Sequence, residues 1–327
     1  MKRLILILGI LFLNPDLRAQ AIDTVRFNSG KSALTGILVR PVAAGPGKKI
    51  PVVIVLHYAG GGLHSNPLYQ VLAKDLNSIG ISAFLYDRRG EGLSNNGKVD
   101  PDYFDLADDA RSAIEKLKTL SNIDTSRIGL YGVSQGCWIA AITNTLVADI
   151  KFQILVSPST IAPSPQMDYA AWVNLKQKGF QPHSIDSALK LRNVIDDFYR
   201  GKISREYAAE QRRLAEKEEW FPEAYIFDLD ETPETGTWRQ NMDFDPLIFF
   251  KRSAQPKLVF YGEYDKWVPI ERGIDDWNKL ALDDLTIKRI ANTGHLMIIN
   301  EKHEPVTPVF SDDYRNALKE WARSIVH

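Results

Sequence analysis

Apolar positions along this chain fall into short unbroken runs, separated by stretches in which they recur every three or four residues. Residues 51–57 (PVVIVLH) and 81–86 (ISAFLY) are continuous apolar runs rich in β-branched and aromatic side chains, the composition of strands buried on both faces. Residues 128–131, 152–156 and 257–261 repeat that pattern, and 285–290 reads as a further strand. Residues 68–79, 103–120 and 271–280 carry the spacing of amphipathic helices, the first closed by Gly80. Ahead of them, 24–28 and 33–40 predict two strands about a Ser29-Gly30-Lys31 turn, followed by a Pro/Gly loop over 41–49. Strands alternating with helices of this length imply right-handed crossovers and a mostly parallel sheet covered on both faces.

The alternation stops at Ser157. From there to about Phe250 no buried-strand pattern occurs. Helical spacings take over at 185–199 and in the charged stretch 204–219, with Trp172, Phe180, Trp220, Phe221, Tyr225 and Trp238 among them. A stretch of that length and composition predicts a helical insertion rather than a loop. The strand and helix rhythm then resumes and ends in an amphipathic helix over about 307–325.

Composition narrows the class. A chain of 327 residues, 44% hydrophobic and 25% charged, can bury a substantial core in one elaborated domain or two. Forty Lys and Arg against 41 Asp and Glu give a formal net charge of −1, which argues against a nucleic-acid partner. At the N-terminus Lys2 and Arg3 precede an apolar run over 4–13, then Asn14-Pro15 and the small residues of Ala19-Gln20-Ala21. That order predicts a cleaved export signal over residues 1–21, its apolar run too short to span a bilayer comfortably, and therefore a periplasmic or secreted protein with no stable membrane span after cleavage; a retained membrane anchor is the alternative. Cys137 is the single cysteine, so no intramolecular disulfide is possible and the fold must rely on its core.

The chemistry gathers around residues 127–141, RIGLYGVSQGCWIAA. A strand breaks at Gly132-Val133-Ser134-Gln135-Gly136 and continues as a helix, the context in which G-x-S-x-G carries meaning. The sharp turn forces its central residue into a strained conformation and needs neighbours almost free of side chain, which Gly132 and Gly136 supply. Ser134 is then placed with its hydroxyl exposed at the sheet edge and the Gln135 N–H at a helix N-terminus, an arrangement that suits a nucleophile and the anion it generates.

A serine hydroxyl needs a base, and the base needs an orienting partner. Of His57, His64, His183, His295, His303 and His327, His295 follows the last predicted strand in Asn292-Thr293-Gly294-His295. Parallel strands bring their carboxyl ends to one edge, so a loop there can reach Ser134. The same reasoning selects Asp265 in the segment GEYDKWVP after the preceding strand, with Glu263 two residues away as the alternative acid.

These segments together resemble the α/β-hydrolase superfamily, in its serine esterase or serine aminopeptidase-like branch. The elbow GVSQG, the acid segment YGEYDKWVP, the terminal TGH, the loop HYAGGG and the turn DRRGEGLS stand in that family's order of nucleophile, acid and histidine. The resemblance covers about residues 30–157 and 251–325. It implies an α/β-hydrolase core over 22–157 and 251–327, with a helical cap or lid inserted at 158–250 after the sixth strand. It also implies Ser134 as nucleophile, His295 as general base and later acid, and Asp265, which holds the family's position before the Val-Pro pair, as the orienting carboxylate. The first oxyanion donor is then the N–H of Gln135. The second falls on the loop after His57, where Ala59 has the usual spacing and Tyr58 replaces the family's frequent Gly, so the phenol of Tyr58 is an alternative occupant of the pocket.

Other motifs read as structural. His57 closes a strand, the charges of Asp87-Arg88-Arg89-Gly90 hold a turn, and Cys137 packs at the start of the elbow helix. Gly60-Gly61-Gly62 lacks the following Gly-Lys-Ser/Thr of a phosphate loop. The pairs Asp108-Asp109 and Asp275-Asp276 read as solvated helix faces, and Trp172, Trp220 and Trp238 as core of the insertion ahead of an acyl pocket. No spacing predicts a metal site, and no cofactor is expected. The resulting expectation is two-step acyl transfer from a small-molecule ester to water. An aminopeptidase-like or acyl-peptide hydrolase, with Glu218, Glu219 or Glu223 offered to a substrate amine, is the alternative, and a non-catalytic binder on the same fold the third reading.

Overall fold

The computed structural model describes residues 20–42, 47–95, 100–233, 236–299 and 308–326. Outside them lie the expected leader up to residue 19, the expected start of the last helix at Thr307, His303 and His327. The described residues form an eight-stranded sheet: β1 (Gln20–Ser29), β2 (Ser32–Pro41), β3 (Ile50–Leu56), β4 (Ser82–Tyr86), β5 (Ile123–Val133), β6 (Ile150–Val156), β7 (Lys257–Gly262) and β8 (Leu285–Ile290). Their order is β1-β2-β4-β3-β5-β6-β7-β8. The β1–β2 and β2–β4 pairs are antiparallel and every later pair is parallel. The carboxyl ends of β3 to β8 therefore share one edge.

Side chains of successive residues leave a strand on opposite faces, so a central strand feeds two cores. Val52, Ile54 and Leu56 of β3 join the layer under α2 (Tyr103–Lys118) and α3 (Gln135–Leu146), with Trp277 of α9 (Ile270–Lys279). Val53 and Val55 join the opposite layer, under α1 (Pro67–Ser78) and α10 (Asp312–Val326). β1 lies at an edge and shows the single-faced pattern, Val25 and Phe27 buried and Thr24, Arg26 and Asn28 exposed. Two strands extend well beyond their expected limits: β1 begins at Gln20, inside the stretch expected as leader 1–21, and β5 begins at Ile123, because its residues 124–127 are polar and partly exposed and carry no apolar signal.

Between β6 and β7 lie α4 (Pro163–Gln177), α5 (Pro182–Tyr199), α6 (Arg205–Ala215), α7 (Thr237–Asn241) and α8 (Pro246–Lys251). These helices hold a cluster of their own around Leu175, Leu191, Ile195, Phe198, Trp220 and Met242. Within it Arg192 is buried and bonds Asp168 at 2.7 Å, while Asp196 accepts from Trp238 Nε1 at 2.9 Å and from Ser164. Of the three tryptophans read as core, Trp220 is buried and Trp238 packs on the cluster, but Trp172 is exposed and lies over Tyr169.

The two aspartate pairs are not simply solvated. Asp108 is half-exposed and Asp275 exposed, but Asp109 is 0% and Asp276 5% exposed. Asp109 takes two hydrogen bonds from Arg89, at 2.8 and 2.6 Å, tying the turn after β4 to α2. Asp276 accepts from Thr160 at 2.9 Å and Arg272 at 2.7 Å, tying the chain after β6 to α9. A buried carboxylate whose cation is removed keeps its desolvation cost. Arg89→Met should therefore lower unfolding free energy by about 3 to 5 kcal/mol, and Arg89→Met with Asp109→Leu should recover most of it. Urea unfolding followed by tryptophan fluorescence measures both; a double variant as unstable as the single one would contradict the pairing.

Candidate active site

At the end of β5 the backbone of Ser134 takes φ 52° and ψ −117°, a region that costs an L-residue about 1–3 kcal/mol and is held by its surroundings. Ser134 N–H donates to Val156 O at 2.8 Å and its carbonyl accepts from Cys137 N–H at 2.9 Å. The turn is tight enough to need glycine on both sides. A Cβ on Gly136 would stand 2.3 Å from the Leu56 carbonyl oxygen, and one on Gly132 2.5 Å from that of Gly136. The Ser134 hydroxyl makes no capping bond to α3, although the residue sits at the N-cap. Cys137 is buried, its sulfur 3.3 Å from two carbonyl oxygens, and burial pushes its thiol well above the ordinary range; it is a packed residue.

Asp265 and His295 meet across the loops that follow β7 and β8. His295 Nδ1 lies 2.9 and 2.8 Å from the two carboxylate oxygens of Asp265. Asp265, 6% exposed, also accepts from the N–H of Trp267 at 2.8 Å and of Val268 at 3.3 Å, so it is held as an acceptor and puts the imidazole proton on Nδ1. Nε2 is left as the basic nitrogen. Glu263, the alternative acid, instead accepts from Asn292 N–H at 2.9 Å and braces the histidine loop. That loop is fixed further by Tyr264 N–H on Thr293 O at 2.8 Å and by the Ser157 hydroxyl on His295 O, also at 2.8 Å. The two loops touch at Gly262, where a Cβ would lie 2.0 Å from Gly294 O.

The loop after β3 brings its own amides to this edge. Tyr58 N–H donates to the Tyr69 hydroxyl at 3.2 Å, whereas the N–H groups of Ala59 and Gln135 have no acceptor among the described residues. The Tyr58 phenol accepts from Asn66 at 3.1 Å and its ring lies against Gly60 and Gly61. Ser134, Gln135, Tyr58, Ala59 and His295 all line one cleft of about 1450 Å³, with Asp265 behind His295. That volume exceeds the roughly 300–1,000 Å³ of most small-molecule sites. Its wall is mostly apolar: Tyr103 and Trp138 from the sheet domain, Trp267 from the acid loop, and Met167, Phe227 and Trp238 from the segment between β6 and β7.

The profile of the serine aminopeptidase S33 family matches residues 48–303, more than three quarters of the chain. The chain belongs to that family. Among solved structures, this S33 hydrolase is similar to an esterase from Pyrococcus furiosus, at 14% identity and TM-score 0.60 over 94% of this chain and 92% of the other. A proline iminopeptidase from Mycobacterium smegmatis is 16% identical, at TM-score 0.59 over 93% and 98%. The shared fold is that of the α/β hydrolases. An uncharacterized protein of Mycobacterium tuberculosis is 37% identical over 90 residues, which span 28% of this chain and 30% of that relative.

Several contributors to the hydrolase's cleft went unread in the sequence. Asp228, Asp230 and Glu231 line it, while Glu218 and Glu219 are exposed elsewhere and Glu223 bonds Lys178 at 2.7 Å. The run DLDE at 228–231 was visible, but nothing in it separates a cleft wall from a solvated surface. Ser157 gave no signal at all. Of the remaining histidines within the described residues, His64 bonds Asp87 at 2.6 Å and His183 is exposed. His57 is buried with Nε2 2.7 Å from Tyr86 O.

Burial, with the Arg88 charge second, lowers the His57 pKa from 6.5 to about 3. The folded protein thus keeps His57 neutral while the unfolded chain takes up a proton below pH 6.5. Stability falls as pH drops through that window, by about 1.4 kcal/mol per pH unit from this residue. Between pH 7 and pH 5, His57→Gln should lose about 2 kcal/mol less than the parent in urea unfolding. Equal losses would place the acid sensitivity elsewhere.

Proposed function

We propose that this protein is a serine hydrolase that cleaves carboxylic esters through an acyl-enzyme. The observation that carries the reading is the Asp265–His295 hydrogen bond at 2.8 Å, on the same cleft as a Ser134 held at a helix N-terminus with its hydroxyl unused by the cap. Ser134 Oγ attacks the ester carbonyl as His295 Nε2 takes its proton, and the oxyanion rests on the N–H groups of Gln135 and Ala59. As the intermediate collapses, the protonated imidazole gives that proton to the leaving alkoxide. Water, deprotonated by the same nitrogen, then releases the acid and returns Ser134. Asp265 holds the tautomer and stabilises the imidazolium without itself being protonated. Each oxyanion donor contributes about 3 to 4 kcal/mol to the transition state.

The apolar, aromatic wall of the cleft favours an ester with an apolar acyl or alcohol part, and the helices after β6 act as the cap that shapes it. One observation favours a second reading, an aminopeptidase. Asp228, Asp230 and Glu231 on the cleft wall could hold a substrate's α-ammonium group, in line with the family's description and with the iminopeptidase neighbour. The charged, apolar and small-residue order of residues 1–21 supports export with a cleaved leader.

The test is a set of p-nitrophenyl esters from acetate to long acyl chains, run beside aminoacyl p-nitroanilides. Esters should turn over faster than anilides, and Ser134→Ala should lose on the order of 10⁴-fold or more in kcat. Anilides that outpace esters establish the aminopeptidase reading instead. Turnover that survives Ser134→Ala contradicts both.

A further inference from the structure

The proposed second oxyanion donor sits on a loop that leaves β3 exposed at Ala59 and Gly60, with no helix to order it. Besides Tyr69 and Asn66, which hold Tyr58, one side chain from a distant turn grips two of its carbonyls. Arg88, in the turn after β4, donates from Nη2 to Tyr58 O at 2.9 Å and from Nη1 to Ala59 O at 3.0 Å. The same Nη2 lies 3.4 Å from Oε1 of Gln135, the residue whose amide is the first proposed donor. Arg88's own N–H donates to Gly62 O at 2.7 Å, and Tyr58 O also accepts from Gly61 N–H at 3.2 Å. The guanidinium therefore bridges the loop after β3, the turn after β4 and the elbow.

Planarity of the peptide bond converts that grip into an orientation. In a trans peptide the C=O of one residue and the N–H of the next point in opposite directions within one plane. With Tyr58 C=O turned onto the guanidinium and the Gly61 amide, the Ala59 N–H is directed to the other side, where no acceptor among the described residues meets it. Gripping Ala59 C=O as well fixes the next plane and removes the remaining rotation. A planar fork with several donors can span two successive carbonyls, whereas an ammonium is a single point charge.

We propose that Arg88 is a positioning residue for the reaction: by holding the carbonyls of Tyr58 and Ala59 it aims the Ala59 N–H at the oxyanion formed at Ser134. The proposal rests on the serine-hydrolase reading above. Loss of Arg88 leaves the nucleophile, base and acid in place and frees the loop, so the transition state suffers and substrate binding does not. Small misplacements of a catalytic group cost up to about 100-fold in rate.

The experiment measures kcat and KM of Arg88→Met and Arg88→Lys on the best p-nitrophenyl ester, with inhibition by a trifluoromethyl ketone whose adduct places an oxyanion at the same spot. Circular dichroism and melting temperature report folding. In a folded Arg88→Met, kcat should fall about 10- to 100-fold with KM within threefold, and inhibitor affinity should fall in parallel. Arg88→Lys should lie between the two. A purely structural role would lower the active fraction and leave inhibitor affinity of the remaining sites unchanged, which overturns the proposal. So does an unchanged kcat in folded Arg88→Met or, where that variant does not fold, in Arg88→Lys. Turnover lost in Ser134→Ala but kept in the Arg88 variants overturns the proposal alone; turnover kept in Ser134→Ala overturns the underlying reading and the proposal with it.

Discussion

The backbone turn at Ser134 is the constraint on which the rest of the structure depends. A residue at φ 52° and ψ −117° between a strand and a helix is unfavourable in isolation, and it persists because both sides of the turn are packed against backbone. On one side Gly136 meets the Leu56 carbonyl of β3; on the other Ser134 N–H is tied to Val156 at the end of β6. The turn can form only if β3, β5 and β6 lie side by side and in parallel, which makes the sheet a condition for the site and not merely its support. The same geometry turns the Gln135 amide outward at the start of α3.

What surrounds the turn is held mostly by polar contacts between loops, because loops at a sheet edge have little apolar surface to bury. The acid and histidine loops are joined by Glu263, Tyr264 and the close contact at Gly262, and His295 O is fixed by Ser157. The turn after β4 is anchored by Arg89 on Asp109 and by Asp87, which accepts from His64 and Leu93 amides. From that anchored turn Arg88 reaches the loop after β3. Around the site, Arg88, Arg89, Asp87 and Glu263 therefore act as pins between neighbouring segments.

How much of this could be read from residues alone follows from the range of each interaction. β3, β4 and β7 are buried on both faces and announce themselves as apolar runs, and the elbow is a local pattern in which two glycines and one serine carry the geometry. Asp265 and His295 could be nominated because each follows a strand whose end must reach the shared edge, and the structure places them in hydrogen-bond contact. Asp109 and Asp276 were misread because their burial depends on Arg89 and Thr160, remote in sequence and contributed by loops. Of the helices after β6, α5 and α6 were visible from their spacing, while α4, α7 and α8 were not placed. Their arrangement was not visible either, since α4 buries residues on more than one side and its pattern does not say which side meets the cleft. The acids on the cleft wall are chemically indistinguishable from those that face water.

The central claim is that Asp265 and His295 make Ser134 a nucleophile. Its most direct test is the rate at which a fluorophosphonate modifies the intact protein, followed by mass and peptide mapping, in the parent and in His295→Gln. The account predicts a single adduct on Ser134, formed at least about 10³-fold more slowly in His295→Gln. An adduct at another residue, or equal rates in the two proteins, would contradict it.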